Sequence, residues 1–339
     1  MPESQSTRLT FLGTGGGRFA TMYQTRATGG IYLVDSLKLH IDPGPSALYN
    51  MKRASIDPIK TDGILLSHCH PDHYSDAEVL VEGMSKGGMV KRGALIGSKS
   101  IIMGEGDFNS PISDYHKSIC ARVSAVSAGD RFRIGNTVID AAPTQHSDPY
   151  GVGFRIHTRN GIVSYVSDSE ITDKVIAAHR GARILILNLT RPLGSKVPYH
   201  LCTEEAAIFA REIVPEMVLL THFGMKLLRE GVNKQVKYIK ENSGTRVVAG
   251  EDLMKVSVGK DITVKRFQDS STCRGYFYES VQTFYIIADI LLQIRENVKN
   301  PKHGEISMII CQIAAFLGSG NTTLLIKLGT TLSANGKRV

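Results

Sequence analysis

The chain has 339 residues, 42% of them hydrophobic and 21% charged, with 33 glycines and 12 prolines. That length buries a full core in one large or two modest domains, and the balance excludes a disordered or collagen-like protein. Lys and Arg outnumber Asp and Glu to leave a net charge of +8, which favours an anionic substrate such as RNA or a small phosphodiester; half of that excess falls in residues 265–339.

In chain order, apolar runs bounded by Gly, Pro, Asp or Ser predict strands at 9–14, 30–35, 37–42, 63–68, 137–142, 151–157, 161–168, 182–190 and 217–223. Between them, capping residues and helical spacing predict helices from Asp72 to about Gly87, from Thr203 to about Val214, and from Met225 to about Asn242. Arg159-Asn160-Gly161 reads as a hairpin turn. Hairpins mixed with helices fit poorly with a purely parallel doubly wound sheet. After about residue 265 the texture changes. QDSSTCRG reads as a linker, and Phe277, Val281, Phe284, Ile287, Leu291 and Ile294 recur at helical spacing. The expected organisation is a catalytic domain over 1–264 and a small helical extension over 265–339, suited to dimerisation or partner docking.

The longest apolar runs fall short of the roughly 20 residues that span a bilayer, so no membrane helix is expected. The first ten residues lack the charged start and apolar stretch of a signal peptide. Five scattered cysteines with no C-x-x-C pair argue against a disulfide framework and for a reducing, cytoplasmic setting.

Chemistry concentrates in Ser67-His68-Cys69-His70-Pro71-Asp72-His73, at the exit of an apolar strand. Three imidazoles and a carboxylate there would each need costly desolvation or exposure, unless a cation pairs with them. In an extended loop His68 and His70 project to one side, and the turn into a helix aims Asp72 and His73 at a neighbouring position. Two adjacent cation sites follow, one rich in nitrogen and one with a carboxylate. His146 in APTQHSDPYG, Asp168 closing GIVSYVSD and His222 closing MVLLTHF stand at three further strand ends, with Asp168 the natural bridge. His200, in YHLCTEE, is a possible sixth histidine. Mixed His and carboxylate donors suit zinc, with manganese or iron as alternatives.

These residues carry a resemblance. HCHPDH matches the H-x-H-x-D-H signature of the metallo-β-lactamase superfamily, and His146, Asp168 and His222 follow in the order of its later ligands. FLGTGGGRFATMYQTRATGG, LHIDPGP, YVSDSE and THFG are similar to segments of the ribonuclease Z-like branch; the likeness covers about residues 8–255. It implies a four-layer αββα sandwich of the α/β (α+β) class with two divalent metal ions at one edge. Carried over, His68, His70 and His146 would hold one ion, Asp72, His73 and His222 the other, with Asp168 bridging and Asp42 orienting a ligand. Asp72 and His200 are the implied catalytic residues, His200 protonating the leaving group. Asn188 stands where ribonuclease Z carries a Glu, and the 21 residues between His146 and Asp168 leave no room for a tRNA-gripping arm.

The chemistry expected is a metal-dependent hydrolase using a metal-bridging hydroxide, a phosphodiesterase or ribonuclease first. The alternatives are a small-molecule ester, lactone or thioester hydrolase with the same site, and a metal-bound regulatory or scaffold protein. A homo-oligomer is expected.

Overall fold

The structure is a computed structural model and describes residues 6–267. Residues 268–339, where the expected linker and helical extension fall, lie outside the described residues. Two mixed sheets form the centre. The first runs in the order Ile262–Lys265, Lys255–Val258, Thr7–Gly13, Thr28–Val34, Lys38–Ile41, Gly63–Leu66, Ala94–Ser98, Arg122–Val126. The second runs Val247–Ala249, Met217–Thr221, Ile184–Arg191, Gly161–Tyr165, Val152–Thr158, Thr137–Pro143, Arg131–Ile134, with the short Leu201–Cys202 also paired to Ile184–Arg191. Each sheet joins an antiparallel half to a parallel half.

The side-chain period of two explains the layers. In Ile184–Arg191, Ile184 and Ile186 enter the core between the sheets, while Leu185, Leu187 and Leu189 enter a second core under helices Asp173–Ala178, Thr203–Ile213 and Val232–Ser243. A strand covered on both faces has to read as a continuous apolar run, as this one does. On the first sheet, Leu65 faces the central core and Ile64 and Leu66 face a third core under helices Ala47–Arg53 and Ala77–Met84. Three cores separate four layers, the αββα sandwich expected.

Two expected helices are broken. The one from Asp72 divides into Pro71–Tyr74 and Ala77–Met84. Asp76 leaves the ladder because its amide donates to the Pro43 carbonyl (3.0 Å) and its carboxylate accepts from the Leu48 amide (3.2 Å). The one from Met225 divides into Met225–Glu230 and Val232–Ser243 at Gly231, whose φ of +96° no helix accommodates. The 151–165 segment is the expected hairpin, with a two-residue loop at Arg159 and Asn160.

At one edge the sheets are closed on each other by backbone. The Phe223 amide donates to the Thr14 carbonyl (2.8 Å), and the Gly16 amide donates to the Phe223 carbonyl (3.2 Å). Among the described residues, no helix is long and apolar enough to cross a membrane.

Candidate metal centre

The site is built at the carboxyl ends of strands, where the chain leaves the ladder and its side chains are freed for binding. Asp42 follows Lys38–Ile41, the HCHPDH segment follows Gly63–Leu66, and His146 follows Thr137–Pro143. Asp168 follows Gly161–Tyr165 and His222 follows Met217–Thr221. All seven expected ligands converge. The donor atoms of His68, His70 and His146 lie within 4.8 Å of one another, as do those of Asp72, His73 and His222. The same holds for His68, His73 and Asp168, and for His146, Asp168 and His200.

The distances describe a tight cluster of nitrogen and oxygen donors. His68 Nε2 and His146 Nε2 lie 3.0 and 3.1 Å from His70 Nδ1. His222 Nε2 lies 3.2 Å from His73 Nε2, 3.2 Å from Asp72 Oδ2 and 3.3 Å from Asp168 Oδ2. Asp168 Oδ2 is 3.7 Å from His73 Nε2, 4.0 Å from His146 Nε2 and 3.5 Å from His200 Nδ1. Tetrahedral ligands 2.0–2.1 Å from a zinc ion stand about 3.3 Å apart, so these spacings fit a shared cation.

The rear nitrogens support the same reading. His73 Nδ1 donates to Asp42 Oδ2 (2.9 Å) and His146 Nδ1 donates to the Tyr199 carbonyl (2.9 Å). His68 Nδ1 faces Ser67 Oγ (2.9 Å), and His222 Nδ1 faces Thr190 Oγ1 (3.0 Å). Each partner turns the opposite nitrogen inward, the arrangement that orients metal-binding imidazoles. Asp42 is itself fixed by Ser67 N, Ser67 Oγ and Tyr165 OH at 2.6–2.8 Å. The Gly17 amide donates to Asp72 Oδ2 (2.9 Å), so the Gly13–Gly17 turn braces a ligand.

Electrostatics divides the cluster. Burial holds His68, His70 and His146 below the ordinary imidazole range, leaving neutral rings with free lone pairs. Burial opposes a charge on His73 too, but the carboxylates of Asp72, Asp168 and Asp42 overcome it and hold that ring well above the usual range. Asp168 stays well below the carboxylate range despite burial, held there by His222 and His73. Burial also lowers His200, whose side chain stays 25% exposed.

Three residues that sequence reasoning passed over support the donors: Tyr165, Thr190 and Tyr199. Asn188 proves to be spent on structure, since its amide donates to Asp168 Oδ1 (2.7 Å) and to Tyr165 OH (3.2 Å). His73, Asp42, Tyr165, Asn188 and Asp168 thus form one buried hydrogen-bonded chain. Cys69 turns its thiol to the neighbourhood of the Asn109 carbonyl, with its pKa pushed up to about 11 by burial. Arg191 and Lys226, which lie close to Asn188 and His222 in the sequence, are both tied to Ser195.

An αββα sandwich with His and Asp donors gathered at its edge defines a metal-dependent hydrolase. A family model described as Beta-lactamase superfamily domain matches residues 38–223. The uncharacterized protein MJ1374 of Methanocaldococcus jannaschii is 37% identical over 253 residues, covering 74% of this chain and 94% of that one. The chain belongs to the metallo-β-lactamase superfamily. Among solved structures, the metallo-beta-lactamase fold protein YhfI from Bacillus subtilis matches with a TM-score of 0.62 at 21% identity, over 75% of this chain and 99% of that one. The short form of human tRNase Z matches with a TM-score of 0.55 at 17% identity, over 74% and 99%.

Proposed function

We propose that the chain is a dinuclear metal-dependent phosphodiesterase. The observation that carries this reading is the pair of donor trios around one carboxylate: His68, His70 and His146 on one side, Asp72, His73 and His222 on the other, with Asp168 between them. Two divalent ions, zinc first, would supply an activated water and neutralise charge on the scissile phosphate. The residues do the rest. Asp42 holds the His73 ring in register, and Asn188 fixes one Asp168 oxygen so that the other faces the trios. His200, beside Asp168 and partly exposed, would pass a proton to the leaving oxygen. No side-chain nucleophile is required. The net charge of +8 and the fold shared with human tRNase Z support a phosphodiester over a carboxylic ester.

The test is hydrolysis of bis(p-nitrophenyl) phosphate by metal-replete protein, chelated protein, Asp168→Ala and His200→Ala. Expected are activity only with metal, loss in Asp168→Ala, and a fall in kcat of about 10²–10⁴-fold in His200→Ala. Protein carrying two ions per chain that ignores phosphodiesters yet cleaves p-nitrophenyl acetate or a lactone would overturn the reading in favour of an ester hydrolase.

A further inference from the structure

Asp148 is fully buried, and neither the ligand set nor the proposed reaction uses it. A carboxylate in that position is costly unless donors surround it. It finds them in three segments. Its Oδ2 accepts from the Cys69 amide (2.8 Å) and from Ser100 Oγ at the start of the helix Lys99–Ile102. Its Oδ1 accepts from the Tyr150 amide (3.0 Å), and its carbonyl accepts from the Gly151 amide (3.1 Å).

The position of those donors gives the group its meaning. Cys69 lies between His68 and His70, so pinning its amide fixes the peptide from which both rings project. Asp148 itself lies two residues past His146, in the loop that carries the third ring of the same trio. One carboxylate thus joins the two segments that supply all three nitrogens. The loop is pressed onto its partner elsewhere too, since the Val152 amide donates to the Ser67 carbonyl (3.0 Å). The other trio is tied by a separate segment: the Gly17 amide donates to Asp72 Oδ2 and the Gly16 amide to the carbonyl of Phe223, next to His222, and neither bond involves Asp148.

We infer that Asp148 is a positioning residue for the first ion alone, the clamp that sets His146 against His68 and His70. The inference rests on the two-ion reading above and adds to it a site-selective control of metal affinity. Its Oδ atoms touch no ligand donor, so it acts through the backbone.

The test is a chelator-competition titration of Zn²⁺, followed in parallel by the visible absorption of Co²⁺, on native protein, Asp148→Ala, Asp148→Asn and Ser100→Ala. Native protein should take up two ions. In Asp148→Ala one binding constant should weaken by about 10–100-fold, as when partners that orient metal ligands are removed, with the other unchanged and the Co²⁺ spectrum altered in one component. Asp148→Asn, which keeps an acceptor for the Cys69 amide, should recover part of the loss and serves if the alanine variant does not fold. Ser100→Ala should show a smaller loss in the same constant. Two unchanged constants, or two that fall together, overturn the assignment of Asp148. Native protein that binds fewer than two ions overturns the two-ion reading instead.

Discussion

A Cβ built on Gly16 would stand 2.1 Å from His222 Cγ, so the imidazole can occupy its place only against a glycine. Gly16→Ala should displace that ring, costing about 1–3 kcal/mol of stability by overpacking and lowering affinity for the second ion by about 10–100-fold. Metal analysis after dialysis, beside urea denaturation, would read both; full retention of two ions would refute the claim. At this scale the proposed ligands were legible because a cation admits few residue types, and seven donors at strand exits leave little other use. Asp148 and Thr190 were not legible. An Asp before Pro reads as an ordinary turn former, and its partner, the amide of Cys69, has no sequence signature. Asn188 was legible as a departure from the family pattern, but its bond to Asp168 depends on two neighbouring parallel strands that only the fold sets side by side.

Burial alone did not make an element legible: Ala94–Ser98 is buried throughout, yet Gly97 and Ser98 cut its apolar run to three residues and it was missed. The strands at the centre of each sheet announce themselves by continuous Val, Ile and Leu. Arg122–Val126, Arg131–Ile134, Lys255–Val258 and Ile262–Lys265 lie at or near sheet edges and alternate with charged or polar residues, which at four or five residues is too short a pattern to read. The breaks in two helices were missed for different reasons. Asp76 is diverted by tertiary bonds that no local propensity encodes. Gly231 was visible as a glycine, yet a lone glycine inside a helical pattern is usually tolerated. Its φ of +96° and the open space around its missing Cβ make it a clean test of backbone strain. Gly231→Ala should cost about 1–3 kcal/mol in urea unfolding, with metal content and hydrolysis unchanged. A loss below about 0.5 kcal/mol, the usual range of a neutral surface change, would show that the junction yields.

Within residues 6–267, each trio draws on both sheets: His68, His70, Asp72 and His73 leave the first, while His146, Asp168 and His222 leave the second. Ions held by these trios would therefore join the sheets, and ions that bind only the folded chain stabilise it by about 2.7 kcal/mol at a hundredfold excess over Kd. Thermal melts with and without a chelator should differ by about 5–10 °C for a domain of this size; coincident melts would disprove the coupling. Stability should also decline in mild acid. Burial lowers His40 to about 4 and His179 to about 3, so the unfolded chain binds protons that the folded chain refuses. The contribution of each is complete above the unfolded value near 6.5 and is lost as pH falls toward the folded one. Between pH 7 and pH 5, metal-free native protein should lose about 2 kcal/mol more than His179→Gln, as read by urea titration; equal losses would show that His179 is protonated in the fold.

The division of each trio between sheets also bears on how the chain is made. When the HCHPDH segment has left the ribosome, it offers two facing imidazoles and, one turn on, an aspartate and a histidine, each an incomplete set. The nitrogen that completes the first set is 76 residues beyond His70, and the one that completes the second is 149 residues beyond His73. Neither set is complete until His146 and then His222 have joined the fold, so capture of two ions by these trios would wait on most of the described chain.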